Sequence, residues 1–124
     1  MDTTQRPKSL VIIRHAESLR NKIKKNNVYF PDEESRAPVR GIPDHKIPLT
    51  EEGIIQAQKT GLNLQNVALP DYIYHSGYER TIQTMNYILE AYSAKERSMI
   101  KIRTNLFIRE RDPGVCYDMT TQEA

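Results

Sequence analysis

Apolar positions along the chain fall into five recognisable runs. Ser9 to Ile13 is short and rich in β-branched residues, and it predicts a buried strand ending on the charged pair Arg14-His15. Ile54, Ala57, Gly61 and Leu64 recur at helical spacing behind Thr50, a good N-cap, and behind Glu51 and Glu52, which suit the positive end of a helix dipole. A helix over about 51 to 66 follows, closed off by Pro70. Asp71 to Ser76 reads as a strand, Gly77 as a turn, and Glu79 to Tyr92 as a second helix with Ile82, Met85, Ile88, Leu89 and Tyr92 on one side. Ile100, Ile102, Thr104, Leu106 and Ile108 alternate with Lys101, Arg103, Asn105 and Phe107, which predicts a third strand running into Arg109-Glu110-Arg111.

Alternating strands and helices favour an α/β fold with a largely parallel sheet flanked by helices, in which sites gather beyond the carboxyl ends of the strands. Arg14-His15, Ser76 and Glu110 lie at such ends. The chain of 124 residues suits a single domain over 1–124, with a long polar stretch, 16–47, inside it. That stretch carries Pro31, Pro38 and Pro43 and shows no steady period beyond one turn after Glu17. Tyr29, Phe30, Asp32, Glu33, Glu34, Arg36 and Arg40 could make it a substrate-selecting lid or a solvated insertion. Its basic cluster Arg20, Lys22, Lys24 and Lys25 reads as a solvated face before a binding patch. Thr120 and Glu123 have capping-box spacing, which predicts a helix starting where the chain stops and therefore a fragment.

Charge narrows the classes. A net charge of +2 with 27% charged residues gives no field of the kind that marks a nucleic-acid or membrane binder. Cys116 is the single cysteine and the N-terminal residues lack a signal-peptide or membrane stretch, so a cytoplasmic location is expected. His15, His45 and His75 have no metal-motif spacing, and neither a metal nor a cofactor is expected. His45 reads as a loop residue and His75 as a structural strand-end residue that could line a pocket.

Arg14 and His15, followed by Glu17, Ser18 and Asn21, form the residue set a phosphate-handling site needs. A neutral imidazole can attack phosphorus, and a guanidinium beside it can bind two phosphate oxygens. Arg14-His15-Ala16-Glu17-Ser18-x-x-Asn21 resembles the first signature of the histidine phosphatase superfamily, also called the phosphoglycerate mutase family. Three further blocks resemble that family's in the same order: Asp44-x-x-x-Pro48-Leu49-Thr50-x-x-Gly53-x-x-Gln56-Ala57, Ser76-Gly77-Tyr78-Glu79-Arg80-Thr81-x-x-Thr84, and Ile108-Arg109-Glu110-Arg111-x-x-Gly114.

The resemblance implies His15 as the phosphohistidine nucleophile, with Arg14, Asn21 and Arg80 binding the phosphate. It implies Glu110 as the proton donor to the leaving oxygen, a task that calls for a carboxyl of raised pKa. Simpler readings pair Glu110 with Arg109 or Arg111, and Arg80 with Glu79 or Asp71. Two positions depart from the pattern. Ala16 replaces a glycine, which is tolerable at negative φ, and the family's second catalytic histidine has no counterpart. The expected activity is hydrolysis of a phosphomonoester, a mutase being less favoured. The expected partner is a phosphorylated small molecule or else a phosphoprotein. The competing expectation is a non-catalytic phosphate-ligand or partner-binding member, or an inactive fragment.

Overall fold

The computed structural model describes residues 6–25, 27–110 and 119–123. Five α-helices and two strands are present among them: α1 (Leu19–Lys24), α2 (Glu33–Arg36), α3 (Glu51–Asn63), β1 (Tyr72–His75), α4 (Glu79–Leu89), α5 (Ala94–Met99) and β2 (Lys101–Thr104). β1 and β2 pair in parallel, from Tyr72 against Lys101 to His75 against Thr104, with α4 and α5 in the crossover between them. This is the strand–helix–strand unit that an α/β fold is built from.

The helix over 51–66 forms as α3 followed by a turn of 3-10 helix, Leu64–Asn66. Thr50 caps it, its hydroxyl accepting from the Gly53 amide. α3 lies on α4 so closely that a Cβ built on Gly61 would stand 2.4 Å from the Ile88 carbonyl oxygen. Gly61 costs α3 helix propensity and in return lets the two backbones touch. Ala57, Ile88, Leu89, Tyr92 and Ile100 are buried around this contact and form the main core.

Both terminal strand expectations overreach. Residues 9–13 make no strand pairing, and Leu10 and Ile12 are 77% and 86% exposed. An apolar, β-branched run specifies strand propensity, whereas a ladder also needs a partner strand, and none lies beside it among the described residues. The third strand stops at Thr104 because β1 offers it no partner beyond His75. Asn105 then caps a 3-10 turn, Leu106–Ile108, by accepting from the Phe107 amide at 2.9 Å.

Many of the described residues of the stretch 16–47 are exposed, Lys22, Val28 and His45 among them, yet the stretch is not shapeless. Besides α1 and α2 it holds 3-10 turns at Ala37–Val39 and Asp44–Lys46, around a second small core of Phe30, Val39 and Ile47, each fully buried. Each such side chain contributes roughly 1.5–3 kcal/mol of burial, which stabilises a segment short of regular hydrogen bonds. Arg36 pairs with Glu33 and Glu123, and Arg40 with Glu33. Phe30 pairs with Thr120 in an isolated parallel bridge. The capping spacing at 120–123 is realised in part: Thr120 Oγ1 accepts from the Glu123 amide at 3.3 Å, but residues 121–123 form a turn and the Glu123 carboxylate goes to Arg36.

Candidate phosphate site beside His15

His15 sits where the exposed run meets the packed body, and its side chain is only 6% exposed. The residues after it are tied down by hydrogen bonds. The Ala16 amide donates to Thr84 Oγ1 on α4 at 3.0 Å, and the Glu17 amide to Gln56 Oε1 on α3 at 3.0 Å. The Glu17 carbonyl accepts from the Thr50 amide at 3.0 Å, and its carboxylate from the Thr50 hydroxyl at 2.7 Å. Ser18 pairs with Leu49 in an antiparallel bridge, and its hydroxyl and amide both donate to Asn21 Oδ1, closing a capping box at the start of α1. A Cβ on Gly53 would stand 2.2 Å from the Glu17 carbonyl oxygen, so the glycine in the second sequence block admits the backbone that follows His15. Ala16 does not adopt positive φ, as a residue with a Cβ requires there.

These ties orient the imidazole. Its Nδ1 lies 2.7 Å from the Ala16 carbonyl oxygen, which can only accept, so Nδ1 carries hydrogen, and Nε2 is the nitrogen that donates to a carboxylate when it too is protonated and attacks when it is bare. Nε2 lies 3.2 Å from Glu110 Oε1. The other oxygen of that carboxylate accepts from Arg80 Nη2 at 3.3 Å. Glu110 is thus paired with His15 and Arg80, in place of the Arg109 pairing that sequence proximity suggests; Arg111, Gly114 and Cys116 lie outside the described residues.

Arg80 is buried on α4 and pairs with neither Glu79 nor Asp71. Its Nη1 donates to the Asp44 carbonyl oxygen at 2.8 Å and to the Asp44 carboxylate at 3.4 Å. That carboxylate also takes the guanidinium of Arg20. Tyr78 lies under Arg80, with 4.8 Å from guanidinium carbon to ring centroid, and under Arg109 at 5.2 Å. Asp44, Thr84 and Tyr78 are therefore positioning residues that type and spacing alone did not single out. Each stands inside a recognised sequence block, which was the available signal.

The hydrogen bond from His15 is the main cause that pulls the Glu110 carboxyl down to about 2; partial burial opposes it, and the charge of Arg80 adds to it. The raised value expected of a proton donor is not found in this arrangement. A carboxylate that receives hydrogen bonds and faces a guanidinium is stabilised in its charged form.

An open cleft of about 320 Å³ lies beside His15, walled by Arg14, Glu17, Asn21, Gln56, Lys22 on α1 and Lys25 at its end. Arg14 and Asn21 therefore share a cleft with His15, while Arg80 reaches His15 through Glu110. The remaining histidines are elsewhere. His75 accepts from the Gly77 amide at 3.0 Å, and His45 is exposed in a 3-10 turn. Among the described residues no three His, Cys, Asp or Glu side chains converge as a metal site, and no helix is long and apolar enough to cross a membrane.

The chain matches the histidine phosphatase superfamily, branch 1, over residues 10–124. It is 34% identical over 116 residues to phosphoglycerate mutase-like protein AT74 of Arabidopsis thaliana, covering 87% of this chain and 32% of that protein. It is 42% identical over 65 residues to the broad-range acid phosphatase DET1 of Saccharomyces cerevisiae, covering 52% of this chain and 16% of that one. The chain thus spans about a third or less of these relatives. A solved structure from Agrobacterium tumefaciens, named as the phosphohistidine phosphatase SixA, superimposes with a TM-score of 0.50 at 21% identity, covering 75% of this chain and 47% of that one. The match over residues 10–124 contains all four sequence blocks, the His15 loop and the β1–α4–α5–β2 unit, and the chain belongs to the histidine phosphatase superfamily.

Proposed function

We propose that this chain carries the phosphoryl-transfer site of a phosphomonoesterase that works through phospho-His15. The observation that carries the reading is the Glu110 carboxylate, whose two oxygens reach His15 Nε2 at 3.2 Å and Arg80 Nη2 at 3.3 Å. An oxyanion of the chain itself thus spans nucleophile and guanidinium, a span that two oxygens of a phosphate could also make. The single cysteine of the sequence suits the reducing cytoplasm, where we place the protein.

In the first step Nε2 attacks phosphorus while Arg14, Arg80 and Asn21 hold the phosphate oxygens. The bond to the leaving oxygen breaks, and that oxygen takes a proton from Glu110. Water then attacks the phosphohistidine and gives its proton to Glu110, releasing inorganic phosphate and restoring His15. Glu110 begins as a carboxylate held down to about 2. An arriving phosphomonoester monoanion competes for His15 and Arg80 and sets negative charge beside the carboxyl; both changes raise its affinity for a proton, and the acidic proton of the substrate's own phosphate passes to Glu110 before Glu110 hands it to the leaving oxygen. The low resting value and the donor role are thereby compatible.

His15→Ala is the test. The full chain, exposed to a phosphodonor, acquires an acid-labile, base-stable phosphohistidine, and the variant loses both that label and turnover of p-nitrophenyl phosphate. A variant that keeps most of its turnover removes His15 from the reaction. A chain that binds phosphate yet never labels is a non-catalytic member.

A further inference from the structure

Glu110 stands where the chain gives it little support of its own. It follows the 3-10 turn Leu106–Ile108, belongs to no helix or strand, and its side chain is 58% exposed. Its carboxylate nevertheless meets His15 Nε2 and Arg80 Nη2 at once, two groups carried by separate parts of the chain. A carboxylate on three side-chain torsions holds two such points together only when the backbone beneath it is fixed.

The neighbouring residue, Arg109, is fixed in two ways. Its Nε donates to the Ser76 carbonyl oxygen at 2.8 Å, just past the carboxyl end of β1, and its guanidinium carbon lies 5.2 Å over the Tyr78 ring. The turn that receives it is itself held. Ser76 is buried, its hydroxyl lies 2.9 Å from that of Thr81, and the Thr81 hydroxyl donates to the Tyr78 carbonyl oxygen at 2.8 Å. Gly77 takes φ 85, and a Cβ built on it would stand 3.3 Å from Arg109 Nη2, so this turn leaves the room that the guanidinium fills. The hydrogen bond sets the direction of the arginine and the ring sets its height, which are independent constraints. Adjacent Cα atoms are about 3.8 Å apart, so a tether on Arg109 sets the origin from which Glu110 reaches.

Tyr78 carries Arg80 as well, at 4.8 Å. One ring thus touches the guanidinium that receives Glu110 and the guanidinium that precedes it in the chain. The charges that lower the Glu110 carboxyl are those of Arg80 and His15, so what Arg109 contributes is place and not charge.

We infer that Arg109 is the positioning residue for Glu110, tying the proton donor to the end of β1 so that its carboxylate falls between His15 and Arg80. The inference rests on the donor role proposed above for Glu110.

Arg109→Met removes both tethers and keeps a long side chain. The readout is kcat/KM of the full chain, which covers the steps up to departure of the leaving group. On glycerol 2-phosphate, whose alkoxide must be protonated, the variant should lose roughly tenfold or more; on p-nitrophenyl phosphate, whose leaving group needs little help, the loss should be about threefold. Inhibition by inorganic phosphate should stay within about twofold, which also reports that the variant is folded. In a Glu110→Gln background, which should itself slow glycerol 2-phosphate far more than p-nitrophenyl phosphate, Arg109→Met should add less than about twofold. Carbon-13 NMR titration supplies a readout that needs no turnover: the Glu110 carboxyl, held at about 2 chiefly by the His15 hydrogen bond, should rise towards 4.5 in Arg109→Met. Equal losses on the two esters, a full additional loss in the Glu110→Gln background, or an unmoved Glu110 titration overturns the positioning role and leaves the phosphatase reading standing. An unaltered chain without turnover, or a Glu110→Gln variant that slows both esters equally, defeats the donor reading itself and takes the positioning role with it.

Discussion

The residues before His15 and those after it make opposite use of similar material. Leu10, Val11, Ile12 and Ile13 are strongly apolar, yet they stand exposed and unpaired among the described residues. Ala16, Glu17 and Ser18 include two polar side chains, yet they are woven into α1, α3 and α4 by backbone hydrogen bonds at 3.0 Å and by the Ser18–Leu49 bridge. The imidazole is consequently aimed from its C-terminal side. Hydrophobic character alone did not place the chain here; specific acceptors and a missing Cβ did. The contrast follows from directionality, since an apolar residue is content with any dry surface, whereas an amide needs one acceptor in one place.

The largest break in this arrangement should come from Gly53→Ala. The added Cβ would meet the Glu17 carbonyl oxygen at 2.2 Å, a backbone atom that cannot swing aside. Alanine favours a helix by about 1 kcal/mol over glycine, but the overlap costs more, and a net loss of about 2–3 kcal/mol is expected. Urea unfolding should show that loss, with a still larger proportional loss of phosphatase turnover. A stability gain would mean that the loop after His15 is not held by α3.

Thr84→Val comes next. It keeps the shape and removes the hydroxyl that accepts from the Ala16 amide and donates to the Arg80 carbonyl oxygen at 2.7 Å. An unpaired amide in this half-buried place costs about 1–2 kcal/mol. Turnover should fall roughly tenfold, the effect of a small shift of the imbedded imidazole on a positioned reaction, while Thr84→Ser should recover most of it. A valine variant with ordinary turnover would show that Ala16 is positioned by something else.

The smallest effect should come from the other side of His15. Exposed side chains contribute little to the stability of the fold they project from, so Leu10→Lys with Ile12→Lys in the 124-residue chain should change unfolding by no more than about 0.5 kcal/mol. The same pair should reduce self-association in size-exclusion chromatography, because a contiguous exposed apolar run is a contact surface. A large loss of stability would restore the buried strand that the apolar pattern predicts.

Legibility in the sequence followed the same division. α3 and its Thr50 cap could be read because local chemistry suffices: a hydroxyl, a carboxylate pair and helical spacing all act within a few residues. β1 and α4 could be read for similar reasons, within a residue or three at their ends. Residues 9–13 and 105–108 were overextended as strands because a ladder is a relation between segments, and alternation in one segment carries no information about the other. At the site, the residue types were visible in His15, Arg80 and Glu110, but their electrostatics were not. Glu110 is lowered because its two oxygens find two distant donors, which lie 95 and 30 positions away along the chain. The basic cluster could not be sorted either, since consecutive charges diverge only once a six-residue helix and its left-handed end set their directions.

Asp44 joins two regions that a protein engineer would wish to keep apart. Its carboxylate is shared by Arg20 at the start of the 16–47 stretch and by Arg80 on α4, and its carbonyl also receives Arg80. The stretch is therefore not an exchangeable cassette that can be cut at any pair of points. A graft whose downstream junction precedes residue 44 would keep the Arg80 support, provided the incoming segment brings an arginine in the place of Arg20. A graft that runs past it would import a foreign clamp along with the foreign loop, and would alter the chemistry of the site while appearing to change only its entrance.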